Sequence, residues 1–277
     1  MNTQFAELIV TCCKLSELEL RSYIKEVLAS RNFSIQEDRY LSQRSGEFSS
    51  IHNLLALRGN PKVCLVSHTD VCRDHDKLQG IPPKRTAPDY IVNPAIKNLM
   101  HFDNWVAAIQ DENCLAQVGG DDRVGVAIAL WLAVTTDSPL GILLTTDEEI
   151  GLVSAKQVDF PELMDFELLV QIDRGNQPNQ EIVTEIFETK ICEESLAKSL
   201  VDLSIKKGKP RQEVVGRGTD VFAIKYNGRC KNAINLTCGY HNSYGSSPSE
   251  YIVIHEAEET MEYVKDIIEF MHNKCEK

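Results

Sequence analysis

The sequence predicts an α/β protein: a three-layer α/β/α sandwich around a mixed, largely parallel central sheet. Three observations predict it. Short, mainly apolar runs at 62–67, 141–146 and 167–172 suit strands buried on both faces. Segments of helical periodicity lie between and around them, the alternation of a layered α/β fold. His68, Glu148 and Asp173 fall at the carboxyl ends of these runs, where such folds gather their functional groups.

Taken in order, residues 3–30 read as helix, with Ser16 capping the second part and Leu20, Tyr23, Ile24, Val27 and Leu28 at helical spacing. Strands are predicted around 35–41, 51–58 and 62–67. Residues 72–100, with Pro82, Pro83, Pro88 and Pro94, read as irregular, and loops of that length are often functional. A strand pair over 103–118 turns at Asp111-Glu112-Asn113. Residues 122–134 are apolar nearly all round, which predicts a buried helix. After the strand at 141–146, a short helix starts near Leu152 and another strand covers 167–172. A helix over 193–207, a strand over 231–238 and a last helix over 255–272 follow. The last helix carries Ala257, Met261, Val264, Ile268 and Met271 on one face.

Composition narrows the class. The chain has 277 residues, 43% apolar and 25% charged, as expected of a soluble globular protein, and no apolar run is long enough for a membrane helix. The N-terminus lacks a basic stretch leading into an apolar one, so no secretory signal is expected. A net charge of −12 disfavours binding to nucleic acid. The nine cysteines are irregularly spaced without a Cys-x-x-Cys pair, which points to reduced core thiols and a cytoplasmic protein. No repeat or linker divides the chain, so a single catalytic domain over 1–277 is expected.

The chemistry-bearing residues are His68 and Asp70, then Asp121, then Glu148 and Glu149, then Asp173, and late in the chain His241. Zinc takes imidazole and carboxylate ligands, and a pair of ions needs a bridging group that a carboxylate supplies. Asp121 follows two glycines and precedes a buried helix, so it is either that bridge or the helix N-cap. Asp70, two residues beyond His68, faces the same way on an extended backbone and can orient the imidazole, unless the pair is a surface turn. Glu148 and Glu149 are adjacent, so their side chains diverge. One can bind metal while the other serves as a base, and the plain alternative is a solvated turn.

The series His68-Thr69-Asp70, Gly119-Gly120-Asp121-Asp122, Asp147-Glu148-Glu149, Gln171-Ile172-Asp173 and Gly216-Arg217-Gly218-Thr219-Asp220 resembles the co-catalytic zinc peptidases. That superfamily includes peptidase T, the aminoacylases and carboxypeptidase G-type enzymes, the glutamyl and tetrahedral aminopeptidases, and single-domain zinc aminopeptidases. The resemblance covers 65–250 in matching order. It implies two zinc ions, with cobalt or manganese able to replace them, held by His68, Asp121, Glu149, Asp173 and His241. It also implies Asp70 as the orienting partner of His68, Glu148 as general base, and the segment with Arg217, Thr219 and Asp220 near the substrate, where Arg217 either binds a substrate carboxylate or makes a surface salt bridge.

Two departures stand out. Four residues before Glu250 the family carries a His, and this chain has Ser246; His241 lies nine before. Either the loop is longer and His241 reaches the second ion, which is the expectation, or that ion has lost a ligand. Many relatives also carry an inserted lid domain, and no gap here fits one. The implied activity is hydrolysis of amide bonds in short peptides by an aminopeptidase. The alternatives are a deacylase of N-acyl amino acids on the same metals, or an inactive binding protein on this fold.

Overall fold

The computed structural model describes residues 2–41, 51–71, 99–111, 114–116, 118–175, 180–242 and 250–275. The chain begins with helices α1 (Thr3–Lys14) and α2 (Glu17–Ser30). The expected helix over 3–30 is therefore two. Ser16 separates them by starting a new helix: its Oγ accepts from Glu19 N at 3.3 Å, and Glu19 Oε2 accepts from Ser16 N at 2.9 Å. This reciprocal pair satisfies two amides at the start of the second helix.

Strands β1 (Ser34–Asp38), β2 (Asn53–Arg58) and β3 (Val63–His68) follow, then β4 (Leu99–Phe102), β5 (Trp105–Asp111) and β6 (Cys114–Ala116). Next come α3 (Gly120–Thr135), β7 (Leu140–Thr145) and β8 (Leu168–Arg174). The helix expected from Leu152 is instead a pair of single turns at Ala155–Gln157 and Pro161–Met164. The remaining elements are β9 (Glu181–Ile186), β10 (Thr189–Lys190), α4 (Glu194–Lys206), β11 (Gln212–Gly216), α5 (Asp220–Tyr226), β12 (Ala233–Thr237), β13 (Tyr240–His241), β14 (Tyr251–Val253) and α6 (Ile254–Cys275). The turn at 111–113 falls partly outside the described residues, as does the irregular stretch expected over 72–100, whose last two residues, Leu99 and Met100, instead open β4.

The main sheet has nine strands, ordered β1-β2-β7-β3-β8-β12-β9-β10 with β11 beside β9. Its centre, β7-β3-β8-β12, is parallel. The flanks are mixed: β1, β2 and β10 run antiparallel to their neighbours, and β11 runs parallel to β9. Alternate side chains serve two cores, as a pleated strand buried on both faces requires. Leu65, Ile142 and Val170 pack with α1, α2, α3, α4 and α6 residues such as Phe5, Leu20, Ile128, Leu200 and Val264. Val66, Leu143 and Leu169 pack with Leu163, Phe166 and Val221 on the other face. Each such fully buried aliphatic contributes roughly 1.5–3 kcal/mol of burial free energy. This is the three-layer arrangement expected, with a second sheet of order β13-β14-β5-β4, and β6 on β5, beside α3.

Among the described residues, no helix is long and apolar enough to cross a membrane. Cys12, Cys64, Cys192, Cys230 and Cys238 are buried and outside any disulfide. Burial pushes the Cys12 thiol up to about 12, which removes it as a nucleophile at neutral pH.

Candidate active site

The parallel register builds the site. His68 pairs with Thr145, and Val66 with Gln171, so β3, β7 and β8 all end at one edge. Their exits deliver His68 to Asp70, Asp147 to Glu149, and Asp173 to the same place. From the other side comes the start of α3. Gly119 has φ of 75°, a conformation glycine adopts without penalty. At Gly120 a Cβ would lie 2.7 Å from Tyr240 Cβ and 3.2 Å from Glu250 Oε1, so only glycine fits.

His68 is fully buried. Its Nδ1 lies 2.9 Å from the carbonyl oxygen of Asp70 and 3.3 Å from Asp70 Oδ1. A carbonyl only accepts, so Nδ1 carries the hydrogen and Nε2 is the nitrogen turned to the carboxylates. Nε2 faces Asp121 Oδ1 at 3.1 Å and Asp173 Oδ1 at 3.5 Å. Asp70 does a second job: its Oδ2 accepts from Glu149 N at 3.2 Å, tying the turn after β7 to the loop after β3.

Asp121 and Asp122, joined by a cis peptide bond, divide two tasks. Both have non-helical backbone angles, so the regular part of α3 starts after them. The cap is Asp122, whose Oδ1 accepts from Gly125 N at 3.1 Å and whose Oδ2 accepts from His68 N at 3.2 Å. Asp121 is left facing His68. Its own amide is held by Glu250, which accepts from Asp121 N at 3.1 Å and from Gly119 N at 2.7 Å.

Asp173 Oδ2 accepts from Gln171 Nε2 at 3.0 Å and from Thr219 Oγ1 at 3.1 Å. Tyr240 Oη lies 3.5 Å from Asp173 Oδ1. The three residues expected beside substrate divide. Arg217 is exposed, Thr219 orients Asp173, and Asp220 is buried with Oδ2 accepting from Thr145 Oγ1 at 2.6 Å.

His241 is held elsewhere. Its Nε2 lies 2.7 Å from Glu256 Oε2, and its ring stacks on Tyr251 with centroids 4.8 Å apart. Side chains alternate along a strand, and in β13 it is Tyr240 that turns towards Asp173. His241 therefore takes the opposite face, with its ring against Glu256 and Tyr251.

Potential ligand atoms of His68, Asp121 and Glu149 lie within 4.8 Å of one another, as do those of His68, Asp122 and Asp173. Burial and neighbouring negative charge raise most of these carboxyls. Burial, then the charge of Asp121, pushes Asp173 up to about 7. Burial pushes Glu148 and Glu149 well above the usual range, with Asp173 adding to the first and Asp121 to the second. Asp122 is raised the same way, by burial and by Asp173. Burial alone would also raise Asp70 and Asp121, but the His68 imidazole outweighs it and holds both low. Burial would lower His68, yet Asp173 and Asp121 hold it well above its ordinary value. Crowded buried carboxylates with one imidazole are a donor set that a divalent cation fits, because it removes the repulsion.

Sequence reasoning had not given Asp122, Glu250 or Tyr240 a place here. Asp122 carried a signal, since an acidic residue three before a helical amide is a capping position; Tyr240 carried none.

No protein-family model matches the sequence, and comparison with curated proteins finds no match. Solved structures do match. Aminopeptidase PepT from Bacillus cereus aligns with a TM-score of 0.71 and 13% identity, covering 98% of this chain and 99% of its own. A tripeptidase from Staphylococcus aureus gives 0.65 and 14%, covering 98% and 99%. The TET1 peptidase of Pyrococcus horikoshii, which assembles into a tetrahedron or a large octahedral shell, gives 0.62 and 15%, covering 95% and 99%. At these identities the likeness is one of fold. The chain has the α/β fold of these aminopeptidases.

Proposed function

We propose that the chain is a metal-dependent aminopeptidase acting on short peptides, working as a single catalytic domain with two divalent ions, zinc foremost. The observation that carries this reading is the convergence of His68, Asp121, Glu149 and Asp173 at the ends of parallel strands, in a fold shared with aminopeptidases. His68 and Asp173 would hold one ion, Glu149 the other, and Asp121 would serve both. His241 is left out of this set, because its ring is engaged by Glu256 and Tyr251.

Bound ions would polarise the scissile carbonyl and bring the pKa of water towards neutrality. The chain's own part is proton traffic and orientation. Glu148 takes the proton of the attacking water and passes it to the departing amine nitrogen. A carboxyl raised by burial suits a group that must both accept and release a proton. Asp70 fixes the His68 tautomer, and Thr219 and Gln171 fix Asp173. Arg217, exposed just after β11, would receive a substrate carboxylate.

The test is to strip the purified chain of metal, reload it with zinc, cobalt or manganese, and assay aminoacyl, dipeptide, tripeptide and N-acyl substrates. About two ions per chain and release of N-terminal residues, both abolished by chelator, are expected. Cleavage confined to N-acyl amino acids would make it a deacylase. Absence of metal binding would overturn the reading.

A further inference from the structure

Glu17 is the first residue of α2, far in sequence from the motifs, yet it is almost fully buried. Its Oε1 accepts from Thr69 Oγ1 at 2.7 Å and from Thr146 Oγ1 at 2.6 Å. Thr69 stands between His68 and Asp70. Thr146 stands two residues before Glu148. One carboxylate oxygen thus joins the exit loops of β3 and β7, which carry two candidate ligands, His68 and Glu149, and the candidate base Glu148.

The surroundings are built to keep this carboxylate in place. Arg21, one turn further along α2, donates from Nη1 to Thr69 Oγ1 at 3.0 Å and from Nη2 to the carbonyl oxygen of His52. A hydroxyl has one hydrogen, so Thr69 accepts from Arg21 and gives its own to Glu17. Burial, then the charge of Asp70, raises the Glu17 carboxyl, and the hydroxyls of Thr146 and Thr69 and the charge of Arg21 act against that rise. Thr146 is gripped from the other side, by Ser154 Oγ, which lies 3.0 Å from Thr146 N and 2.5 Å from Thr146 O. The anchor therefore comes from a different layer of the sandwich than either loop.

We propose that Glu17 is a positioning residue for the active site: through Thr69 and Thr146 it sets the spacing of the His68–Asp70 loop against the Glu148–Glu149 turn. The inference rests on the metallopeptidase reading for its consequence, though not for the contact itself. Outer partners of metal ligands typically contribute ~10–100-fold in metal affinity.

Three variants separate positioning from plain stability. Thr146→Val keeps the shape and leaves the Glu17 charge with Arg21, but removes one hydroxyl. Glu17→Gln keeps an oxygen that both hydroxyls can reach, but removes the charge. Glu17→Leu removes both. Zinc affinity by calorimetry, the visible spectrum of the cobalt-loaded protein and backbone amide exchange in the metal-free protein are measured on each. Thr146→Val is expected to bind zinc about 10–100-fold more weakly, to shift the cobalt spectrum and to exchange faster at 145–149, while its Tm falls less than that of Glu17→Leu. Glu17→Gln should do the reverse, losing Tm but retaining most of the affinity, and Glu17→Leu should lose both. Folded Thr146→Val with unchanged exchange at 145–149 overturns the proposal, whether or not the parent binds metal. A parent that binds no metal and cleaves no peptide instead overturns the functional reading, and the exchange data still decide the role of Glu17.

Discussion

At the scale of single residues, Glu148 carries the sharpest expectation. Glu148→Gln keeps the volume of the side chain but cannot accept a proton at neutral pH. Turnover should fall about 10²–10⁴-fold while metal content stays near that of the parent. Elemental analysis beside peptidase assays checks both halves; a metal-replete Glu148→Gln variant with full activity would exclude it as the base. Glu250 differs in kind. Its two oxygens accept from Gly119 N and Asp121 N, and a glutamine there leaves one buried amide without an acceptor. Glu250→Gln should cost about 1–3 kcal/mol of stability, read by denaturant titration, and weaken metal binding through Asp121. The contrast explains what could be read from sequence at this scale. His68, Asp121, Glu149 and Asp173 stand in compact motifs beside apolar runs, so their type and spacing announce them. Glu17, Tyr240 and Glu250 act through contacts across up to 131 positions of separation, which no local pattern encodes. His241 was named by residue type against the motif spacing, and in the structure its ring lies against Glu256.

At the scale of elements, α3 is the piece on which the site hinges. It packs its start against β8 with no spare room. A Cβ on Gly125 would lie 2.3 Å from the carbonyl oxygen of Ile172 and 2.4 Å from Asp122 Oδ1. Backbone cannot yield easily there, so Gly125→Ala should destabilise by about 1–3 kcal/mol and disturb Asp122, which holds the His68 amide. Gly218→Ala is the control, since the nearest atoms to its Cβ would be side-chain carbons at 3.8 Å. Chemical denaturation should separate the two, and a neutral Gly125→Ala would show that the start of α3 can shift. The central elements were legible because burial on both faces leaves an unbroken apolar run, as in β3, β7 and β8, or an all-round apolar helix, as in α3. Between β9 and β14 only α4 and β12 were legible. Short strands such as β10 and β13 are two residues long, and α5 is seven, too short for periodicity to register. The break between α1 and α2 was visible only as a cap, because apolar spacing runs on through Ser16.

At the scale of the molecule, the buried acids make folding and metal binding respond to pH together. Burial raises Asp173 and Glu250 to about 7 and Asp220 to about 6 in the folded, metal-free chain. Unfolded carboxyls titrate near ~4. Between these values the folded state holds more protons than the unfolded one, so stability falls as pH rises. The contribution of these acids is fully present below about 4 and is lost as pH climbs through about 7, at ~1.4 kcal/mol for each unit of difference. His68, raised by its carboxylates, acts in the same sense. Asp70 and Asp121 are held low and act in the opposite sense, but their contribution is lost only as pH falls below about 4, outside this window. A cation binds the deprotonated site, so its stabilisation grows over the same range in which the metal-free chain weakens. Thermal melts at pH about 5.5 and about 8, with chelator and with excess zinc, should show this coupling. Tm in chelator should drop towards the higher pH, Tm in zinc should hold, and the gap between them should widen. A gap that is the same at both pH values would mean that the carboxylates clustered around His68 do not give up protons to the metal, and the site would then have to be sought elsewhere in the fold.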